Sequence, residues 1–219
     1  MVDRMTPIPS TKRPSVSTRY GIAVAQTPKL ILATRSPSRA AQLAAAGFDF
    51  ERVDPRYRDP EQPGQSLAPE LEARALAGRK AISVYELTVN GNVILSADTI
   101  VITASNTHLG KPANADEARS MLDELIANPH RIVTGIAIMV SDKLLFAHEE
   151  AVVTITPPSS EAVDRFIESG AWQGAAGAYR VDDVRETGWS ITSSVDPVGG
   201  LPIELVTRML SEVGVDPDG

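Results

Sequence analysis

The segment from residue 34 to residue 39, Thr-Arg-Ser-Pro-Ser-Arg, combines hydroxyl and guanidinium groups at a predicted strand-to-helix junction. Pro37 suits the first position of a helix, where a missing N–H costs nothing, so Ser36 is expected to be the N-cap. The free N–H groups of the first helical turn, together with Arg35 and Arg39, would form a binding site for phosphate. The alternative is a serine N-cap beside solvated arginines, and this segment by itself fits both.

A second candidate is Asp98, which interrupts the apolar segment Leu-Ser-Ala-Asp-Thr-Ile-Val-Ile at residues 95–102. Aspartate is uncommon in strands, and a buried carboxylate needs a partner such as a metal ion, a lysine or a water molecule. Lys111 follows in a Gly-Lys-Pro turn at residues 110–112, which we expect to direct its side chain back along the strand. The alternative for Asp98 is a strand-end residue with a local hydrogen bond.

An anion site, a carboxylate and a lysine together favour metal-assisted cleavage of a phosphoanhydride, in which positioning and electrostatics supply most of the catalysis. Magnesium is commonly held by one or two carboxylates and by the phosphates of the substrate. The sequence contains neither a Walker P-loop nor the glycine fingerprint of Rossmann folds, so those nucleotide-binding folds are not indicated.

The composition of the chain narrows the choice of partners. Its 219 residues include no cysteine, which excludes disulfides and thiolate chemistry and is compatible with a reducing compartment. The net charge of −7 argues against nucleic acid as a partner. No apolar run approaches the roughly 20 residues of a membrane-spanning helix. We therefore expect a cytoplasmic protein with a small-molecule ligand and with neither nucleic-acid nor membrane partners.

The N-terminal residues differ from the rest of the chain. Residues 1–28 are rich in Ser, Thr and Pro, carry more basic than acidic side chains and show no helical period. We expect them to be a disordered extension, and a transit peptide is the alternative that this composition leaves open. Residues 29–216 are expected to form a single domain.

Apolar patterns in that domain predict alternating strands and helices, followed by a hairpin with its turn at residues 141–143. The predicted strands are Leu30–Thr34, Phe48–Val53, Val93–Thr103, Ile132–Val140 and Leu144–Thr156. The predicted helices are Pro37–Ala46, Pro69–Leu87, one capped by Asn114, one that starts at Ser159 or Ser160, and Leu201–Val213. Early alternation and a late antiparallel pair indicate an α/β fold with a mixed central sheet flanked by helices.

An ordered set of short motifs resembles the Maf-like nucleoside triphosphate pyrophosphatases. The matching segments are Thr34-Arg35-Ser36-Pro37-Ser38-Arg39, Lys80-Ala81, Ala97-Asp98-Thr99, Gly110-Lys111-Pro112, Ala118 with Met121-Leu122, His130 with Val133-Thr134-Gly135, Ala176-Gly177-Ala178-Tyr179 and Gly200-Leu201-Pro202. No single motif is decisive, but their order is, and the resemblance extends over nearly all of the predicted domain.

The resemblance implies hydrolysis of a nucleoside triphosphate to the monophosphate and pyrophosphate, with Mg²⁺ or Mn²⁺ as cofactor. It also implies an elongated, ITPase-like fold with a cleft between two lobes, often in a homodimer. By position, Ser36, Ser38 and Arg39 would bind the phosphates, and Lys80 and Lys111 would offset their charge.

Two carboxylates complete the set that the resemblance implies. Asp98 would bind the metal or act as the base for the attacking water, so that Asp98 and Lys111 are the catalytic candidates. Asp59 is the nearest match to an acidic residue that ends the family's second strand-and-loop segment, and it is assigned to substrate binding.

Three positions depart from the family pattern: Ser38 replaces an arginine, Ala175 a lysine and Asp182 a glutamine. Losing two cations and gaining an anion should weaken triphosphate binding, since a charge-assisted contact contributes roughly 1.5–3 kcal/mol. Arg180 and Asp182 would face the same side of a strand. We expect this pair to replace the missing lysine and glutamine in substrate binding and to reset the base preference.

The function that these observations favour is hydrolysis of a non-canonical, modified or pyrimidine nucleoside triphosphate, with dTTP and UTP among the candidates. The alternative is a catalytically weak nucleotide-binding protein that regulates cell division or septum formation. Ser38 and Ala175 favour the alternative, whereas Asp98, Lys111 and Arg39 favour the enzyme.

Overall fold

A computed structural model of the chain describes residues 29–59, 67–88, 91–195 and 199–217. The predicted extension at residues 1–28 lies outside this part of the chain. No helix in the described segments is long and apolar enough to cross a membrane.

The described chain alternates strands and helices along most of its length. The strands are β1 (Leu30–Ala33), β2 (Glu51–Val53), β3 (Val93–Ile102), β4 (His108–Leu109), β5 (His130–Val140), β6 (Lys143–Thr156) and β7 (Ser190–Ser193). The helices are α1 (Pro37–Ala45), α2 (Pro69–Tyr85), α3 (Ala115–Leu125), α4 (Ser160–Ser169), α5 (Val181–Glu186) and α6 (Ile203–Glu212), with a short 3₁₀ turn at Ala176–Ala178.

The strands form one mixed sheet in the order β2-β1-β3-β5-β6-β7, with β4 paired to β3. β1 runs parallel to β2 and β3, whereas β3, β5, β6 and β7 pair antiparallel in succession. Between β5 and β6, Ser141 and Asp142 have φ angles of 45° and 69°, as a two-residue hairpin turn of type I′ requires. The predicted α/β class with a mixed, helix-flanked sheet is confirmed.

Alternation along β3 sends its side chains to opposite faces of the sheet. Ile94 and Ile100 pack beneath α2, and Ser96 on the same face donates a 2.6 Å hydrogen bond to the Ala77 carbonyl of that helix. On the other face, Leu95 belongs to a core cluster with α1 and α6, and Val101 belongs to a separate cluster with α3 and α4. Asp98 shares the register of Ile94 and Ile100, so its side chain is directed towards α2.

Helix α2 lies unusually close to β5 at Gly135. A Cβ atom placed on Gly135 would collide with backbone atoms of Ala73 and Arg74. Gly135 also pairs with Asp98 in the β3–β5 register. The absence of a side chain at this position therefore lets α2 approach the sheet next to Asp98.

The pairing of neighbouring strands along the β1-facing edge of β3 is interrupted in the middle of β3. β1 pairs with β3 up to Ser96, and β4 pairs with it from Val101 onwards. Over the intervening residues 97–100, no strand of the described chain pairs with that edge. The backbone there is open to other groups, and the N-terminus of α1 follows directly after β1.

The region after Tyr179 differs from the prediction. We expected Arg180 and Asp182 to lie on a strand, but Val181–Glu186 is a short helix that begins after Arg180. The two residues therefore do not alternate along an extended backbone, and the strand-based argument that they face the same side is wrong.

Candidate active site

A cleft of about 600 Å³ opens at the interruption in the sheet. It is lined by the β1–α1 junction, by the middle of β3 and by the segment from residue 174 to residue 183. All of the residues predicted from the sequence to form the site line it: Ser36, Ser38, Arg39, Asp59, Lys80, Asp98, Lys111, Arg180 and Asp182. The fold thus brings together side chains from widely separated parts of the chain.

The N-terminus of α1 forms one side of the cleft, with the geometry predicted from the sequence. Ser36 is the N-cap, and its side chain accepts a 3.4 Å hydrogen bond from the backbone N–H of Arg39. Pro37 occupies the first turn, and no acidic residue lies there. The positive end of the helix dipole therefore faces the cleft, and no acidic side chain in the first turn of α1 neutralises it.

The Arg39 side chain extends from α1 to the open edge of β3. Its guanidinium donates 2.8 Å hydrogen bonds to the carbonyl of Ala97 and to the hydroxyl of Thr99. Burial lowers the pKa of Arg39, and the nearby carboxylates of Asp98 and Asp59 oppose that shift. A guanidinium is not deprotonated in proteins, so the cleft contains a fixed positive charge.

Two carboxylates and two lysines form a continuous chain of ion pairs beside Arg39. Lys80, on α2, contacts Asp98 and lies 2.9 Å from Asp59 Oδ1, while Lys111 Nζ is 2.6 Å from Asp59 Oδ2. Lys80 and Asp98 are buried, with 8% and 6% of their surfaces exposed. Lys111 is half-exposed, and its ion-pair partner is Asp59, which follows β2.

The pKa values of the two carboxyl groups shift in opposite directions. Burial, reinforced by the charge of Asp59, raises the pKa of Asp98 above 3.8, although Lys80 and Arg39 act against this. Burial also disfavours the charged form of Asp59, but its two lysine partners outweigh that effect and lower its pKa. Asp98 is thus the more basic carboxylate, as a proton acceptor should be.

The opposite side of the cleft contains the departures from the family pattern. Ser38 Oγ donates a 2.7 Å hydrogen bond to Asp182 Oδ2. Arg180 pairs with Asp183 at 3.1 Å, not with Asp182, and donates to the carbonyls of Ala171 and Gln173. The expectation that Arg180 and Asp182 act as a pair is therefore corrected: Arg180 holds the 171–175 segment, whereas Asp182 is held by Ser38.

Three groups in the cleft were missed as site residues. The Ala97 carbonyl and the Thr99 hydroxyl anchor Arg39, and Tyr179 lines the cleft with its hydroxyl 2.6 Å from His130 Nε2. Thr99 and Tyr179 stand inside motifs that the sequence already displayed. The role of the Ala97 carbonyl could not be predicted from the sequence. The carbonyl is free to accept from Arg39 because the pairing of β1 and β4 with β3 stops on either side of it.

His108 and the two tryptophans are buried and have structural roles. His108 Nδ1 is 2.8 Å from Glu72 Oε2, and both side chains are buried between β4 and α2. Trp172 and Trp189 belong to the core cluster that contains α3 and α4. None of these three residues lines the cleft.

Carboxylates are the groups in this cleft that suit a divalent cation. Among the described residues, no group of three or more His, Cys, Asp or Glu side chains is placed to hold a metal ion. Asp59 Oδ1 is buried and, among the described residues, meets no hydrogen-bond criterion, although Lys80 Nζ lies 2.9 Å away as an ion-pair partner. A hard oxygen donor of this kind beside Asp98 matches the preference of Mg²⁺ and Mn²⁺ for carboxylate ligands.

Comparison with known proteins gives relatives that extend over the whole described domain. The model of the family described as "Maf-like protein" matches residues 29–213. A dTTP/UTP pyrophosphatase of Symbiobacterium thermophilum is 35% identical over 187 residues, which are 85% of this chain and 94% of that protein. A protein of the same name from Aquifex aeolicus is 31% identical over 188 residues, or 85% and 96% of the two chains.

A more distant similarity is found among solved structures. A nucleoside-triphosphatase, also called dITP/XTP pyrophosphatase, from Mycobacterium abscessus aligns with a TM-score of 0.40 and 17% identity over 60% of this chain and 76% of its own. The family model and the curated relatives, in contrast, match nearly the full domain. The chain therefore belongs to the Maf-like protein family.

Proposed function

We propose that the protein hydrolyses a nucleoside triphosphate to the nucleoside monophosphate and pyrophosphate. The observation that carries the proposal is the chain of ion pairs from Asp98 through Lys80 and Asp59 to Lys111, beside the N-terminus of α1 in one cleft. Curated relatives named dTTP/UTP pyrophosphatase match most of the chain and support the same reaction.

The binding step uses the positive groups of the cleft. The first-turn N–H groups of α1 and the fixed charge of Arg39 receive the triphosphate. Lys111 is half-exposed and its Nζ contacts Asp59, so its side chain can turn towards an incoming phosphate. Lys80 is buried and stays between the two carboxylates, where it limits their mutual repulsion.

The chemical step is attack of water on the phosphorus whose bond to the pyrophosphate leaving group breaks. Asp98 accepts the proton of the attacking water, for which a carboxylate with a raised pKa is suited. Arg39 and Lys111 stabilise the negative charge that develops on the phosphate oxygens. The products are a nucleoside monophosphate and pyrophosphate.

A divalent cation fits this cleft, and Asp98 and Asp59 would hold it together with the phosphates of the substrate. Support comes from the pair of neighbouring carboxylates, Asp59 and Asp98, of which Asp59 Oδ1 is buried with only the ion-pair contact of Lys80 among the described residues. When bound, Mg²⁺ or Mn²⁺ would neutralise phosphate charge and act as a Lewis acid. Asp98 keeps its assignment as proton acceptor whether or not it also contacts the ion.

The substrate class is proposed to include pyrimidine nucleoside triphosphates, since the relatives are named for dTTP and UTP. We further propose that the enzyme is a cytoplasmic homodimer. Exposed Leu71 and Ile82 of α2 and exposed Phe146 of β6 support a self-association surface. Light scattering after size exclusion, with Phe146→Ser as the variant, tests the oligomeric state.

The experiment that tests the activity is pyrophosphate release from ordinary and modified nucleoside triphosphates, with Mg²⁺ or Mn²⁺, by the wild type and Asp98→Asn. We expect metal-dependent release of both products, reduced by a factor of about 10² to 10⁴ in the variant. Asp123→Asn, on the exposed face of α3, is the matched control and should behave as the wild type.

A catalytically weak nucleotide-binding protein is the second candidate, because Ser38 and Ala175 line the cleft where the family pattern has cations. Calorimetry separates the two functions. Tight nucleotide binding without pyrophosphate release across the panel would contradict the enzyme and favour a regulatory role in division or septum formation.

A further inference from the structure

Ser38 and Asp182 lie 144 residues apart in the chain, but they are joined by a hydrogen bond. Each stands where the family pattern has another residue, an arginine and a glutamine respectively. Because the two substituted positions are in direct contact, they form one coupled change and not two independent losses.

The hydrogen bond determines which chemistry Asp182 offers to a ligand. An ionised carboxylate only accepts hydrogen bonds, whereas the glutamine amide both accepts and donates. Ser38 donates to Asp182 Oδ2 and thereby fixes the orientation of a carboxylate that lines the cleft. The side of the cleft at Asp182 therefore presents a hydrogen-bond acceptor to a ligand.

Arg180 does not neutralise this carboxylate, because its guanidinium is occupied by Asp183 and by two carbonyl groups. Within the described segments of the chain, Asp182 forms no ion pair with a lysine or arginine. An unneutralised carboxylate near a triphosphate repels it. That cost is offset when the nucleoside places a donor against the carboxylate.

We propose that Asp182, oriented by Ser38, selects nucleoside triphosphates whose nucleoside presents a hydrogen-bond donor to it. The inference rests on the proposed function. Two sources supply such a donor: a ribose hydroxyl, and a donor on the base, which is the amino group of cytosine or the imide N–H of uracil.

Four nucleotides separate the two sources of the donor: UTP, dUTP, CTP and dCTP. UTP and CTP differ at positions 3 and 4 of the base, where uracil has an N–H and a carbonyl and cytosine has a bare nitrogen and an amino group. Each ribonucleotide differs from its deoxy partner by the 2′-hydroxyl. We expect the wild type to show a kcat/KM ratio of about 10 to 100 in favour of the donor in at least one comparison. The pair of nucleotides that shows this ratio identifies whether the donor is the 2′-hydroxyl or a group on the base.

Asp182→Asn keeps the shape of the side chain but can turn an amide donor towards the ligand, so it should abolish or reverse that ratio. Ser38→Ala leaves the carboxylate unoriented and should reduce the ratio without reversing it. Asp123→Asn on α3 is the matched control, and its ratios should equal those of the wild type. Melting temperatures show whether each variant is folded.

The inference is overturned if both wild-type ratios lie near one, if they persist in Asp182→Asn, or if this variant changes kcat/KM by the same factor for all four nucleotides. The last outcome would mean that Asp182 only repels the triphosphate and does not select the nucleoside. Dissociation constants of the same nucleotides are measured in parallel. If no nucleotide is hydrolysed but the binding ratios behave as expected, the proposed function fails and the inference stands, whereas absence of binding overturns both.

Discussion

Lys80 and Asp98 form a buried ion pair that joins α2 to the middle of β3. Lys80 is also within 2.9 Å of Asp59, so one ammonium group serves two carboxylates. Breaking such a pair leaves an uncompensated charge in a site of low dielectric constant. The electrostatic behaviour of the cleft therefore depends on this lysine.

The first prediction concerns Lys80→Met. Without the ammonium, Asp59 and Asp98 repel each other, so the pKa of Asp98 rises further above its ordinary value of 3.8. A base must be deprotonated to act, and the acidic limb of kcat/KM against pH should therefore move to higher pH. The free energy of unfolding should fall by about 3 kcal/mol, measured by urea denaturation.

A double variant provides the control for this prediction. In Lys80→Met/Asp98→Asn the repulsion between carboxylates is removed, so the double variant should lose less stability than the two single losses added together. Strict additivity of the three unfolding free energies would show that the ion pair has no energetic coupling.

The second prediction concerns Gly135→Ala. The added methyl group would collide with the backbone of Ala73 and Arg74, which cannot turn aside as a side-chain tip can. We expect a loss of about 3 kcal/mol in unfolding free energy, at the upper end of overpacking costs. Activity should fall as well, because the same helix carries Lys80.

Gly188→Ala is the comparison for this substitution. Gly188 has a φ of 80° but open space where a Cβ would stand, so its replacement adds only backbone strain of about 1–2 kcal/mol. If Gly135→Ala were no more destabilising than Gly188→Ala in the same denaturation experiment, the close approach of α2 to β5 would not be the limiting feature.

The third prediction concerns Arg180→Ala. Its guanidinium donates to the Ala171 and Gln173 carbonyls at 3.0 and 2.9 Å, so its removal should release the 171–175 segment. We expect KM to rise about tenfold with a smaller change in kcat, since the effect is on one wall of the cleft. Hydrogen exchange in that segment should become faster.

Arg180→Lys distinguishes positioning from charge. Lysine retains the positive charge but lacks the planar fork that binds several acceptors at once, so it should behave like alanine. Full activity in the lysine variant would favour a charge role. Unchanged activity and selectivity in the alanine variant would contradict both roles. Arg208→Ala, exposed on α6, is the matched control.

The fourth prediction concerns the stability of the protein in acid. Burial lowers the pKa of His130 from its ordinary 6.5, although the Asn128 carbonyl partly opposes this. His130 Nδ1 donates to that carbonyl, and Nε2 accepts from the Tyr179 hydroxyl, so the folded protein holds the neutral ring. The unfolded chain takes up the proton first, and stability should therefore be lost as pH falls below about 6.5.

Two variants test the assignment of this pH dependence. His130→Asn removes the titrating group, so its unfolding free energy should depend less steeply on pH between about 7 and 5. Tyr179→Phe removes a hydrogen bond but keeps the buried histidine, and its slope should stay steep. Equal slopes in the wild type and His130→Asn would assign the acid sensitivity to other groups.

The predicted elements that were correct had a long apolar pattern or a clear start signal. Pro37 after Ser36 predicted the first turn of α1, and Asn114 with Glu117 predicted the start of α3. The prediction of a strand after Tyr179 was wrong because α5 has only 6 residues, too few to show a helical period in the sequence. A local helix signal in this segment is the pair of acidic residues in its first turn, Asp182 and Asp183.

The sequence predicted which residues line the candidate site but not which of them form hydrogen bonds or ion pairs with one another. Six of the nine predicted residues stand in the motifs, which are local in sequence, whereas Asp59, Arg180 and Asp182 were assigned from neighbouring positions; all nine line the cleft. The partners of those residues depend on long-range packing: Arg39 reaches Ala97 across 58 residues, and Ser38 reaches Asp182 across 144. Arg180 and Asp182 were paired wrongly for that reason.

The close contact at Gly135 has a consequence for how this site can diverge. Beside Lys80 and Asp98, the close approach of α2 to Gly135 leaves no room for a Cβ atom, so substitutions of Gly135 are eliminated through loss of folding. The wall formed by residues 171–183 is anchored in the core through Trp172 and Tyr179, but its surface towards the cleft also carries exchangeable side-chain hydrogen bonds of Arg180 and Ser38. New nucleotide preferences can therefore evolve on one wall while the reaction is preserved on the other.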